Sequence, residues 1–241
     1  MRLLCVIPAR GGSKGIPRKN VADVCGRPLI AYTIASALEA GAFERVVVST
    51  DDSEIADAAR SCGAEVPFLR PVQFATDVAS PHLGVEYTVE RLKQDAGYEA
   101  EGLVVLFPTH PFRTLGMVRS LAGLLPGHHT VKTVIPVYPG PLSYLAQEPD
   151  GRLEPILTAD EQALRETVHH VPAGTFYGVN FGHWRQTHRF IDRRNHSYRY
   201  YHHALTDPVE QIDIDTPGDL AVARAIISRG LYDFTATSCV P

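Results

Sequence analysis

Cysteine is scarce in this chain: the four, Cys5, Cys25, Cys62 and Cys239, are scattered and include no Cys-x-x-Cys pair. That argues against a disulfide scaffold or a zinc knuckle and for reduced thiols in a cytoplasmic setting. Long apolar runs are missing as well. No stretch reaches the roughly eighteen uninterrupted apolar residues of a membrane span, and the N-terminus has no signal-peptide cleavage pattern. Basic charge is not in excess: 23 Lys and Arg stand against 27 Asp and Glu, a formal net charge of -4. A general nucleic-acid binder is therefore not expected, and the cations gather near the N-terminus, which suits a small anionic ligand. The histidine pairs His128-His129, His169-His170 and His202-His203 lack the His-Glu-x-x-His spacing that places two metal ligands on one helical face. Structural roles are the expectation for them. No internal repeat or low-complexity segment interrupts the chain.

What is present is ordinary globular composition, 44% hydrophobic and 21% charged over 241 residues. This length builds one sizeable α/β core, so a single domain over 1–241 is expected. Its organising stretch is the first twenty residues. The apolar run Leu3 to Ile7 reads as a buried strand and empties into a loop with Gly11, Gly12 and Gly15 and the cations Arg10, Lys14, Arg18 and Lys19. Glycine lets backbone N–H groups approach an oxyanion, and the cations balance its charge, so the loop reads as a phosphate site. It is neither a Walker A loop nor a Gly-x-Gly-x-x-Gly dinucleotide loop. A basic, glycine-rich surface turn is the alternative.

Strands and helices then alternate. Pro28 to Ala40 reads as a helix stopped by Gly41, Arg45 to Thr50 as a strand, Glu54 to Ser61 as a helix with an N-cap at Asp51-Asp52-Ser53, and Glu65 to Leu69 as a short third strand. A loop opening at Arg70-Pro71 leads to a helix from His82 to about Asp95. Leu103 to Phe107 is a strand that ends in the polar Pro108-Thr109-His110-Pro111-Phe112-Arg113, and the carboxyl edge of such strands is where open parallel sheets bind ligands. A helix Leu115 to Leu125 and a strand Thr130 to Val137 follow, and the rhythm stops at Tyr138 in an excursion suited to a lid or a dimer arm. Val171 to Asn180 reads as a returning strand whose glycines either admit a ligand or mark a bulge. Ile191 to Leu205 resists assignment. Gln211 to Pro217 reads as a strand that puts Asp213 and Asp215 on one face, with a last helix to Ser228. Two carboxylates so placed repel unless a cation compensates, and an oxygen-only site favours Mg2+ or Mn2+. The alternative is that one caps the following helix and the other is solvated.

Together, Ile7 to Asn20, Pro108 to Arg113 and Ile212 to Pro217 resemble the motifs of the CMP-sugar synthetases for acidic sugars, the cytidylyltransferases that include the sialic acid and pseudaminic acid enzymes. The resemblance implies a Rossmann-like three-layer α/β/α nucleotidyltransferase fold with a mostly parallel sheet, a small dimerisation arm at roughly 138–170, a homodimer, CTP as co-substrate and Mg2+ or Mn2+. It implies that Arg10, Ser13 and Lys14 hold the triphosphate, that Ala9 and Gly11 also bind the nucleotide, and that Lys19 and Asn20 lie beside the phosphates and the cytosine or ribose. Thr109 and Arg113 would lie between nucleotide and sugar, Tyr177 on the acceptor side, and Asp213 and Asp215 on the metal. Arg10 and Lys14 would hold the leaving pyrophosphate. Asp77 sits where related enzymes have an acidic residue, and Arg165, with Lys132 second, is the candidate partner of the sugar carboxylate. Phe107 and His110 depart from the Gln and Ser of sialic acid synthetases, while Ala173-Gly174-Thr175-Phe176-Tyr177 looks like the Ala-Gly-Gln-Phe-Tyr of pseudaminic acid synthetases. The expected acceptor is a nine-carbon 2-keto acid sugar, with pseudaminic or legionaminic acid ahead of sialic acid. Alternatives are another acceptor or nucleotide, such as an eight-carbon ulosonate, a sugar phosphate, a phosphonate or GTP, and a catalytically idle nucleotide-binding relative.

Overall fold

A computed structural model describes residues 1–75, 81–137, 145–147, 149, 152–155, 169–182 and 199–236. The N-terminal apolar run forms β1 (Leu3–Pro8), buried along almost all its length as a central parallel strand must be. A two-residue ladder, β2 (Asp23–Val24) and β3 (Arg27–Pro28), turns the chain into α1 (Leu29–Ala40), which starts after Pro28 and stops at left-handed Gly41. After β4 (Arg45–Ser49) comes α2 (Ser53–Ser61), whose N-cap Asp52 accepts a hydrogen bond from Ile55 N–H at 3.0 Å. The chain continues through α3 (Pro81–Ala96), β5 (Gly102–Val105), α4 (Leu115–Leu124) and β6 (Thr130–Val137). Within the excursion, β7 (Leu145–Gln147) pairs antiparallel with β8 (Leu153–Pro155). The long β9 (His169–Asn180), the edge strand β10 (Tyr200–Ala204) and α5 (Pro217–Ser228) complete the order.

Six strands form one sheet in the order β10-β6-β9-β5-β1-β4. Only β9 runs antiparallel to its neighbours. One face packs Ile30, Ile34, Ile55, Val118 and Leu121 of α1, α2 and α4 against the sheet, and the other takes Val85 and Leu92 of α3, giving three layers. A third cluster joins Leu220 and Ala223 of α5 to Leu29, Tyr32, Phe112 and Ile214. The fold is thus the three-layer α/β arrangement anticipated, and β1, β4 and β5 all end at one edge.

Two expected strands are not strands. Glu65 makes only a bridge to Val47, and the ladder stops because Pro67 has no N–H to continue it. Gln211 to Pro217 pairs with no strand. The unassigned Ile191 to Leu205 ends in β10, whose tyrosines and histidines are mostly half-buried on the edge beside β6. Among the described residues, no helix is long and apolar enough to cross a membrane.

Candidate active site

The glycine-rich loop leaves β1 already anchored. Ala9 N–H donates to the Ser49 carbonyl at 2.9 Å and its side chain sits in the core, while Gly11 N–H donates to Asp51 Oδ1 at 3.2 Å. Both N–H groups are engaged within the fold, so Ala9 and Gly11 fix the loop. Asn20, buried, donates from Nδ2 to the Arg10 carbonyl at 3.0 Å and closes the loop's far end. Gly15 passes so near the 213–215 segment that a Cβ would overlap the Asp215 carbonyl oxygen. Arg18 turns away in a left-handed conformation, φ 55°, and its guanidinium grips Asp52 at 2.7 and 3.1 Å and also Glu54. It is a strut between loop and α2, not a phosphate ligand. Burial pushes the Asp52 carboxyl up, but the Arg18 pair and the backbone N–H groups of Ile55 and Glu54 together hold it below its usual range.

Beyond the loop lies a cavity of about 410 Å³. Arg10, Ser13, Lys14, Lys19 and Asn20 line one side, and Phe107, Pro108 and Thr109 from the end of β5 line another. Arg70, Phe74 and Ala75 close it, and Asp215 stands at its rim. Sequence reasoning missed Arg70, which follows the apolar Val66 to Leu69 and precedes a proline without any mark of function. Its side chain is only 4% exposed, with Nη2 3.7 Å from Asp51 Oδ1. Among the described residues, its Nε is a buried side-chain nitrogen with no hydrogen-bond partner, a costly state that a bound acceptor would relieve. Burial pulls its pKa down, Asp51 opposes this, and Arg10 adds to it.

The carboxylates arrive on an extended segment held by one backbone bond, Ile214 N–H to the Thr109 carbonyl at 2.8 Å. Ile214 is buried and its neighbours Asp213 and Asp215 are exposed, so the alternation survives although the strand does not. Lys19 Nζ clamps the segment, 2.8 Å from the Ile214 carbonyl and 2.7 Å from Asp215 Oδ1. Although 45% of its side chain is exposed, partial desolvation by the surrounding chain raises the Asp213 pKa; the Thr109 hydroxyl lowers it, Asp215 raises it, and Lys19 lowers it. Thr216 and Asp219 form a capping box that starts α5 just after the pair, so neither Asp213 nor Asp215 is the cap. His110, between Thr109 and the core, is held neutral: burial, then Arg113, pushes its pKa down to about 3, against the pull of Asp215.

Other expectations fare differently. Arg113 does not reach the cavity. It is fully buried, with Nε donating to the Thr175 carbonyl at 3.1 Å, Nη1 to Thr33 Oγ1 at 2.8 Å and Nη2 to the Phe107 carbonyl at 3.0 Å. Its assignment to substrate is corrected to that of a core brace, because every donor group already serves the fold. Tyr177 is half-buried against Phe107, ring centroids 6.1 Å apart, and is not among the described lining residues. Lys132 is buried in β6 and does not line the cavity either. Arg165 and Asp77 lie outside the described residues.

Residues 4–79 match the family model described as Cytidylyltransferase. A pseudaminic acid cytidylyltransferase of Campylobacter jejuni is 50% identical over 93 residues, covering 39% of this chain and 40% of that one. An N-acylneuraminate cytidylyltransferase of Escherichia coli is 29% identical over 235 residues, 93% of this chain and 52% of that one. These alignments span about half or less of the relatives' own lengths. Among solved structures, CMP:2-keto-3-deoxy-manno-octonic acid synthetase complexed with CTP covers 95% of this chain and 100% of its own at 19% identity, with a TM-score of 0.69. At that identity the likeness is one of fold.

Proposed function

We propose that this chain, whose residues 4–79 match the cytidylyltransferase family, transfers CMP from CTP to a nine-carbon 2-keto acid sugar, releasing pyrophosphate. The observation that carries the reading is the convergence of Arg10, Lys14, Lys19, Thr109 and Asp215 on one cavity at the carboxyl edge of the sheet. Similarity to relatives named for pseudaminic and acylneuraminic acids supports the acceptor class.

Arg10, Ser13 and Lys14 bind the triphosphate. Arg70 offers its unpartnered Nε to an acceptor on the nucleotide, and Phe107 and Pro108 cover an apolar face of it. The anomeric hydroxyl oxygen of the sugar forms a bond to the α-phosphorus as the bond to the pyrophosphate oxygen breaks, and its proton passes to solvent. Arg10 and Lys14 balance the charge of the departing pyrophosphate, a task of position and electrostatics with no covalent nucleophile. Asp213 and Asp215 fit a hard divalent ion: they are oxygen donors, mutually repulsive, and adjoin the phosphate loop. Among the described residues no third metal-ligating side chain joins them, which suits an ion completed by phosphate oxygens and water. A bound Mg2+ or Mn2+ would neutralise charge on those oxygens. The reading includes a single domain with a dimerisation arm at roughly 138–170, a homodimer, and a reducing cytoplasm in keeping with the free thiols of Cys5, Cys25 and Cys62.

The test is pyrophosphate release with Mg2+ from CTP, GTP, UTP or ATP, in the presence of pseudaminic, legionaminic, sialic or an eight-carbon ulosonic acid. Release confined to CTP and a nine-carbon acid is expected. Turnover with another nucleotide or only with the eight-carbon acid would replace the proposal, and CTP binding without turnover would favour the idle relative.

A further inference from the structure

We infer that His110 is a positioning residue: its ring links the β9 backbone to Thr109 and thereby sets the place of the Asp213 carboxylate. The inference rests on the reading of Asp213 as a metal carboxylate. Gly174 N–H lies 3.2 Å from His110 Nε2, and an amide can only donate, so Nε2 is the acceptor. The proton of a neutral ring is then on Nδ1. Thr109 Oγ1 is 3.1 Å from Nδ1 and must accept that N–H, and Asp213 Oδ1 stands 3.5 Å from the same nitrogen, so hydroxyl and carboxylate meet at the proton-bearing edge of the ring. At that distance the carboxylate is too far for a good direct bond, so the ring sets its position by fixing the hydroxyl beside it. Each link has one direction, fixed at its origin by a backbone amide.

The ring is built in tightly. His110 is 6% exposed, and a Cβ on residue 174 would stand 2.7 Å from its Cε1 and 2.8 Å from its Nδ1. Gly174 leaves the space in which the imidazole can sit and the amide can reach it. The Thr109 carbonyl separately accepts from Ile214 N–H, so the residue that accepts the hydrogen bond from His110 also holds the backbone carrying Asp213. Groups of this kind, one shell behind a metal ligand, typically change metal affinity 10- to 100-fold when removed.

The experiment is Mn2+ binding to the full chain by electron paramagnetic resonance, without and with CTP, alongside kcat and KM for CTP. His110→Phe keeps a ring but breaks the link, and should weaken Mn2+ binding about tenfold, with the loss in kcat exceeding any change in KM for CTP. His110→Asn retains a donor at the Nδ1 side and should recover much of the Mn2+ affinity; a merely space-filling role would predict no such recovery. Thr109→Val against Thr109→Ser makes the same test at the middle of the link should His110→Phe not fold. Wild-type Mn2+ affinity in both His110→Phe and Thr109→Val would overturn the inference alone. Wild-type binding that Asp213→Asn leaves unchanged would overturn it together with the metal assignment beneath it.

Discussion

Replacing Arg113 by Met should damage the fold and spare the ligand site. The guanidinium is fully enclosed and serves three acceptors: the Thr175 carbonyl on β9, the Phe107 carbonyl at the end of β5, and the Thr33 hydroxyl on α1. Methionine fills much of the volume but gives none of them a donor. A buried polar group left unpaired costs about 1–3 kcal/mol; the Thr33 hydroxyl can rotate and the Phe107 carbonyl keeps the His110 N–H at 3.2 Å, so the Thr175 carbonyl dominates. Part of that loss is returned because the cation need no longer be desolvated, a strain visible in an Arg113 pKa pulled down to about 10 by burial. A net loss of about 1–2 kcal/mol remains, which for a chain of this size lowers Tm by roughly 2–8 °C. Circular dichroism melts and urea midpoints would measure it, with CTP and acceptor KM determined well below the lowered Tm. An unchanged Tm combined with a large rise in acceptor KM would refute the reasoning and return Arg113 to the substrate.

Two further outcomes are expected. Gly15→Ala places a methyl against the Asp215 carbonyl oxygen, so either the loop or the 213–215 segment must shift; stability should fall by about 1–3 kcal/mol and calorimetric CTP affinity with it, and wild-type values of both would contradict the packing described. Asp52 has a folded pKa below its unfolded one, so its contribution to stability is present above the ordinary carboxylate range and is lost as pH falls through the lowered folded value. Asp52→Asn keeps a capping side chain but removes that titration, so urea midpoints should fall less steeply on acidification than in the wild type; parallel acid limbs would exclude Asp52 as a contributor.

The elements most legible in the sequence were those in which one local signal decides the outcome. The run Leu3 to Ile7 can only be a buried strand, and Gly41 and Asp52 mark helix ends by their own backbone chemistry. The alternation around Ile214 revealed which side chains face out, but not that the segment lacks a strand partner, because pairing depends on a neighbour distant in sequence. Pro67 was the local warning against a third strand. The arginines show where local reading ends: Arg70 and Arg113 each directly follow a large apolar residue, Leu69 and Phe112, yet one faces the cavity and the other the core. Nothing within a few residues of either separates the two fates, since the acceptors that decide them, Asp51, Thr33 and Thr175, come from other elements.

The lone antiparallel strand has an architectural consequence. Parallel neighbours must be joined by a crossover that traverses the sheet, whereas β6 and β9 meet with Val137 and His169 in register, so the chain leaves and re-enters the sheet at adjacent points. Whatever lies in 138–168 hangs from a closed pair of posts, and doubling the length of such an insertion costs only about 0.6 kcal/mol of closure entropy. The sheet is therefore nearly indifferent to its length. A fold wired in this way can exchange one insertion for another while the loop after β1, Arg70 and Thr109 stay where they are: a modular socket beside a fixed cavity.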